Sequence, residues 1–421
     1  MAFTIKEETR ALAHQLEFVD RLMERKVLGC FDEMGVGKTL SIILAVCKTC
    51  VEGDKALIIM PPFLANNWHT EIEKFSNMVV GVDVDLVPYT MLGKRVSSFE
   101  GYKFIAADEA HYLKNLDAQR TQKFHGYMIE HTPPYFVYAT GTPIMNRIPE
   151  IYSMLLMFSY FEHVSPRISV LYNSYYKFCM RFCNVSEKKF GGRSVMQFTG
   201  MKHLEELKEY LKPWTIRRKA SEVLELPDMD NQMITANYKD DPDLAMAWSQ
   251  FTGDDGGKDI VAKKNSAIAK AHFTAEYVHS ALESGNGPVV VFSDHRDPVS
   301  NIHRELSEKW RVASIMGGDS MAARTSLVDK FQKGELDVIV ATVGSASVGI
   351  TLTRSNLIVF NDIPWVPASL DQARKRIHRI SQDRSSRCVY IVGSKIDSQI
   401  IQTIKAKMKV INQVLETKET P

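Results

Sequence analysis

The chain is short of cysteine, of net charge and of long apolar runs, and each shortage argues against a class of protein. Six cysteines in 421 residues are too few for a disulfide framework and suggest a reducing compartment. Cys47 and Cys50 form a CxxC, and Cys179 and Cys183 lie four apart. The first pair sits in an apolar helical run, "SIILAVCKTCV", with no histidine nearby, so all four read as core thiols rather than a zinc site. A formal net charge of +2 gives no whole-chain argument for a polyanionic partner. No stretch approaches the roughly 18 uncharged apolar residues of a membrane span. The N-terminus, "MAFTIKEETRALAHQ", lacks the apolar centre of a secretory signal. The expectation is an intracellular protein with no membrane association, in the cytoplasm or nucleoid of a bacterial or viral system, or in a eukaryotic nucleus. Low-complexity tails and short-period repeats are also missing.

What is present has a rhythm. The length exceeds one ordinary core, so two domains are expected. Short apolar runs recur, separated by helix-length segments: "VLGCF", "ALIIM", "KFIAAD" and "YFVYAT", with a weaker "VDVDLV", in the first half. The second half repeats the arrangement with "PVVVFS", "RVASIM", "DVIVAT", "LIVFND" and "CVYIVG". Such runs read as buried parallel strands with crossover helices, giving two α/β lobes whose ligands sit beyond the carboxyl ends of the strands. Lobe 1 is expected over 1–220 and lobe 2 over 263–421. Between them, 221–262 is rich in Asp, Gly and Pro and reads as a linker with one helix near Leu244 to Phe251. Residues 150–212 read as helices without the strand rhythm, an insertion packed on lobe 1.

Two stretches carry chemistry. "DEMGVGKT", Asp32 to Thr39, follows one strand and precedes a helix, the context a P-loop requires. Gly35, Val36 and Gly37 offer backbone N–H groups to phosphate oxygens, Lys38 a cation to the β and γ phosphates, and Thr39 a hydroxyl to Mg²⁺. Asp32 stands where the strict consensus has glycine. "KFIAADEAH" then delivers Asp108 and Glu109 at a strand's carboxyl end, Asp108 to hold Mg²⁺ and Glu109 to orient and deprotonate the attacking water. ATP and Mg²⁺ are the expected ligands.

The run "QARKRIHRISQ" holds three arginines, a lysine and a histidine without an acid. If helical, Gln372, Arg376 and Arg379 share a face. A γ-phosphate that gains charge in the transition state is a target for Arg376 and Arg379, with Gln372 beside them.

With these residues in hand, the chain resembles the Swi/Snf-type ATPases of helicase superfamily two, nearly end to end. "DEMGVGKT" looks like motif I, including its Asp; "IIMPPFLANNW" resembles motif Ia, "DEAHYLKN" motif II, and "ATGTPIMNRIPEIYSML" motif III with its sequel. "LKPWTIRRKASEVLELP" is similar to the segment ending lobe 1, "ATVGSASVGITLTRSNLIVFNDIPWVP" resembles motif V, and "QARKRIHRISQ" motif VI. Lys375 and Ser381 stand where motif VI usually has glycine. The insertion, with "YYKFCMRFC", looks most like the branch containing the HepA-related annealing helicases.

The resemblance implies two RecA-like lobes in tandem and a DNA-stimulated ATPase that moves along duplex or forked DNA, gripping it through phosphates. Gln15 occupies the place of an adenine-reading glutamine, and Gly349 belongs to the nucleotide site. Asn67, Trp68, Ser345, Ser347 and Trp365 match DNA-facing positions, with a core role open for Trp68. His111, Thr140 and Thr142 match positions that couple nucleotide state to the lobe interface. Protein partners are expected for targeting. A strand-separating DNA or RNA helicase and an ATP-gated DNA scaffold with little turnover are the competing readings.

Overall fold

The computed structural model describes residues 3–161, 174–190, 193–224, 227–236, 257–346, 350–379, 382–393 and 395–415. The chain divides into two units, Met1–Val223 with Lys409–Pro421, and Leu224–Met408.

In the first unit the five apolar runs form β1 (Val27–Cys30), β2 (Lys55–Met60), β3 (Val84–Pro88), β4 (Tyr102–Asp108) and β5 (Tyr135–Ala139). With the short β8 (Thr215–Ile216) they make a six-stranded sheet in the order β3-β2-β4-β5-β1-β8, parallel throughout. Alternate residues supply two cores. Leu57, Ile59, Ile105 and Phe136 face one side, against Leu92, Phe124 and Phe158. Ala56, Ile58, Phe104 and Val137 face the other, against Phe18, Ile43 and Ile72. Strands covered on both faces cannot alternate apolar with polar, which is why they read as continuous apolar runs.

The insertion is not all helical. Helix Tyr175–Phe182 is followed by an antiparallel hairpin, β6 (Asn184–Phe190) and β7 (Arg193–Thr199). Its sequence, "NVSEKKF" and "RSVMQFT", carries polar side chains through both strands and so lacks the apolar signature of the sheet.

In the second unit β10 (Val289–Ser293), β11 (Val312–Ile315), β12 (Val338–Thr342), β13 (Leu357–Phe360) and β14 (Ser386–Val392) match the five runs read from the sequence. A sixth strand, β9 (Met229–Thr235), lies inside the segment read as linker and pairs with β14. The order is β11-β12-β10-β13-β14-β9, again all parallel. Gly257–Glu283 forms one long helix, so ordered structure begins within the span read as linker; the helix expected near Leu244 to Phe251 lies outside the described residues. No helix among the described residues is long and apolar enough to cross a membrane.

Candidate nucleotide site

The P-loop leaves β1 and enters helix Lys38–Thr49, with Gly37 as its N-cap. Gly35 and Gly37 hold φ values of 88° and 96°, a region that glycine enters without a Cβ clash. At Gly37 a Cβ would lie 2.5 Å from Gln15 Nε2, so a side chain there would also displace the Gln15 amide. Lys38 Nζ donates to the carbonyls of Asp32 (2.8 Å) and Glu33 (3.0 Å), which holds the ammonium inside the loop. Thr39 is half-buried beside it.

Asp32 is 1% exposed and accepts from Arg218 Nε at 3.2 Å. Arg218 also donates to the carbonyl of His14, while its own carbonyl accepts from Glu33 N (3.0 Å). The acid that breaks the strict consensus is therefore part of a clamp fastening the P-loop to the segment after β8. Gln15 donates to Gly37 O (3.2 Å) and accepts from Leu12 N (2.9 Å). Its amide is thus engaged with its own helix start and with the P-loop.

Asp108 ends β4 with 6% exposure. Burial, and then the neighbouring Glu109, push its carboxyl up to about 6, opposed by Lys38 and by a hydrogen bond from Trp68. Trp68 Nε1 donates to Asp108 Oδ2 at 3.0 Å, and Tyr89 Oη to Asp108 O at 2.9 Å. Glu109 follows at φ 48°, a left-handed conformation uncommon for a non-glycine residue. Thr140 Oγ1 lies 3.4 Å from Glu109 Oε2, accepts from Thr142 N (3.1 Å) and is hydrogen-bonded to His111 Nδ1 (3.0 Å). Gly141, between the threonines, comes close to the P-loop: a Cβ there would meet Met34 Cγ at 3.0 Å. The three expected coupling residues and Glu109 form one network beside the P-loop.

These groups suit ATP with Mg²⁺. Burial and the adjacent Glu109 raise the proton affinity of Asp108, which a divalent cation would relieve. Asp108 and Thr39 are the groups that could hold it.

Several expectations need correction. Trp68, read as DNA-facing with a core role left open, is 1% exposed and its indole is bonded to Asp108, so the core role is the one that agrees with the structure. Ser345, also assigned to nucleic acid, is buried, its hydroxyl bonded to Thr342 and to Ile315 O. Asn67 is exposed, whereas Trp365 is half-buried against the core of its unit. Ser347 and Gly349 lie outside the described residues. The basic run does not continue as a helix: Pro367–Arg374 is helical, and Lys375 caps it. The shared face drawn through Arg376 and Arg379 therefore does not exist. Gln372 (4% exposed) and Arg376 (0%) are buried, Arg376 Nη1 lying 3.5 Å from Ile350 O. Arg379 is half-buried, donating to Lys375 O (2.8 Å) and Thr351 Oγ1 (3.0 Å). Gln382, at the end of the run, donates to the carbonyls of Thr353, Ser355 and Ile377 and ties the segment to its unit.

Reading by sequence missed Arg218, Tyr89 and the positioning role of Trp68. Arg218 had a signal, since a buried acid in a P-loop needs a cation. Tyr89 had none.

A model described as the SNF2-related domain matches residues 14–87 and 75–245, together more than half of the chain. The chain belongs to the SNF2-related family. A model of the helicase conserved C-terminal domain matches residues 269–381 of this SNF2-related chain. Among curated relatives, the Xenopus laevis SWI/SNF-related matrix-associated actin-dependent regulator of chromatin subfamily A-like protein 1 is 29% identical over 416 residues, covering 91% of this chain and 42% of the relative. The human DNA annealing helicase and endonuclease ZRANB3 is 26% identical over 424 residues, covering 91% and 38%. The chain thus spans about two fifths of the length of these relatives. A solved structure, the Sulfolobus solfataricus SWI2/SNF2 ATPase core in complex with dsDNA, is similar at 21% identity and a TM-score of 0.43, over 97% of this chain and 93% of that one.

Proposed function

We propose that the chain is a DNA-dependent ATPase that translocates on and remodels double-stranded or branched DNA. The observation that carries this reading is the convergence of Lys38, Asp108 and Glu109, with the Glu109–Thr140–His111 network, at the carboxyl end of a parallel sheet. A scaffold that only binds DNA has no need of that set.

The P-loop amides and Lys38 bind the phosphates of ATP. Thr39 and Asp108 would hold Mg²⁺, which would supply neutralisation of phosphate charge. Glu109 orients the attacking water and accepts its proton, its carboxylate aimed by Thr140. His111 and Thr142, bonded to the same hydroxyl, respond when that carboxylate moves. Arg379 is the better candidate for stabilising charge on the γ-phosphate, since the Arg376 guanidinium is buried in its own unit. Asn67 and Trp365 remain the DNA-facing residues of this reading, and targeting to a particular substrate is left to protein partners.

The test is the steady-state ATPase rate without nucleic acid and with duplex, forked and single-stranded DNA and RNA, beside Arg379→Ala. Stimulation by duplex or forked DNA, with Arg379→Ala binding nucleotide but hydrolysing it at least about a hundredfold more slowly, is expected. Stimulation by single strands or RNA alone selects the strand-separating helicase instead. Normal turnover by the variant removes Arg379 from the mechanism.

A further inference from the structure

Glu109 takes up a left-handed backbone, φ 48° and ψ 46°, directly after the last residue of β4. A glutamate does not enter that region unaided, because its Cβ crowds the following carbonyl, so the surroundings must impose it. In a strand continued past Asp108, Glu109 would project to the opposite face. The turn instead leaves its Oε2 3.4 Å from Thr140 Oγ1 and 3.3 Å from His111 Nδ1. The peptide unit between Asp108 and Glu109 is fastened at both ends. Its carbonyl oxygen accepts from Tyr89 Oη, and its N–H donates to Asp108 Oδ1, each at 2.9 Å. Glu109 O accepts in turn from Tyr112 N at 3.1 Å.

Tyr89 reaches this peptide from two strands away. It follows β3 directly, and the order β3-β2-β4 sets β3 and β4 about 10 Å apart, two strand spacings. A phenol is long enough to cross the end of β2; a serine or threonine hydroxyl is not. The Tyr89 ring is buried and stacks on Tyr112, centroids 5.1 Å apart and 6° from parallel. Arg120 lies 5.7 Å over the Tyr112 ring and donates to the Tyr112 carbonyl at 3.2 Å. Burial pushes the Tyr89 phenol well above its ordinary value, so the hydroxyl keeps its proton and stays a donor.

We propose that Tyr89 is a positioning residue for hydrolysis: its hydroxyl fixes the Asp108–Glu109 peptide plane and, through it, the left-handed turn that aims the Glu109 carboxylate. This role rests on the ATPase reading above, whereas the anchor itself does not. The peptide bond is planar, so one bond at its carbonyl constrains ψ of Asp108 and φ of Glu109 together. Asp108 is also held through Oδ2 by Trp68. Loss of the Tyr89 bond is therefore expressed at Glu109, whose backbone relaxes out of the left-handed region.

Tyr89→Phe keeps the ring stack and removes the hydroxyl alone. With forked DNA as activator its kcat should fall about tenfold or more, while affinity for a fluorescent ATP analogue stays within about twofold. In a Glu109→Gln background the carboxylate to be aimed is gone, and Tyr89→Phe should slow residual single-turnover hydrolysis by less than about twofold. Lost packing would act alike in both backgrounds. A further readout needs no turnover: amide exchange across residues 108–110 of the unliganded chain should quicken about tenfold in Tyr89→Phe. Wild-type kcat in Tyr89→Phe, an equal slowing in both backgrounds, or a loss confined to ATP affinity overturns the proposal. Unchanged exchange overturns the anchor whether or not ATP is hydrolysed. A wild-type chain that hydrolyses no ATP with any nucleic acid overturns the ATPase reading, and the positioning role with it.

Discussion

In the first unit Asp108 and Glu109 at the end of β4 are served by neutral donors and by one lysine held on loop carbonyls. In the second, Asp362 follows β13 and Asp294 follows β10, and both face the buried ammonium of Lys263, at 3.7 Å and 2.5 Å. Ser293 Oγ and Asp294 N also donate to Asp362. Both sheets are six-stranded and parallel, and both gather carboxylates at their carboxyl ends. One cluster carries its own counter-charge on a neighbouring helix, and the other leaves charge to be met by a ligand. The acids facing Lys263 are balanced within the fold, whereas burial and a like neighbour raise the proton affinity of Asp108, as the metal-holding role proposed for it requires.

The sharpest way to break this comparison is to neutralise one acid in each cluster. Asp108→Asn, like Lys38→Ala, should cut ATP hydrolysis by at least about a hundredfold with stability unchanged or raised, measured by phosphate release and urea denaturation. Asp362→Asn should do the reverse. Lys263 keeps Asp294, but the charge-assisted bonds from Ser293 Oγ and Asp294 N are weakened, which should cost about 2 kcal/mol of stability in urea denaturation, and hydrolysis per folded molecule should persist. If Asp362→Asn abolished hydrolysis without loss of stability, the division between the clusters would fail.

A smaller effect separates the buried polar groups under the first site. His125 bonds Tyr160 Oη (2.8 Å) and Ser153 Oγ (3.0 Å), and burial lowers its pKa from 6.5 to about 4. The unfolded chain takes up this proton near pH 6.5 and the folded chain only near 4. Stability is therefore whole above pH 6.5 and is lost as the pH falls through that window. Between pH 6.5 and 5 the loss amounts to about 2 kcal/mol. Denaturation of His125→Gln at the two pH values should show that slope removed.

The smallest prediction concerns Trp68. Trp68→Phe keeps the ring packed but removes the donor to Asp108, so the Mg²⁺ concentration for half-maximal hydrolysis should rise about tenfold, as for other groups that orient a metal ligand. An unchanged Mg²⁺ dependence would make Trp68 a packing residue alone.

The strands most legible in the sequence are those covered on both faces, because burial on both sides demands unbroken apolar runs. β8 and β9 are edge strands, two residues long in one case and largely exposed in the other ("MDNQMIT"), and neither leaves such a run. The hairpin β6–β7 was hidden for the same reason. The glycine-rich turn after β1 and the carboxylates at the end of β4 were legible because each follows a recognisable strand at a fixed offset, whereas His111, Thr140 and Thr142 were pointed to by the family resemblance alone. Helical phase misled for Arg376 and Arg379: period alone does not show that the helix stops at Arg374.

By itself the sequence determined the two parallel sheets and the chemical inventory of the candidate nucleotide site, since these rest on local periodicity and on motifs contiguous in the chain. Only the tertiary structure decided which buried polar groups meet. Trp68 reaches Asp108 across 40 positions, Arg218 reaches Asp32 across 186, and Lys263 reaches Asp294 across 31. Pairings of that range arise when strands distant in sequence become neighbours in a sheet, and no local pattern records them.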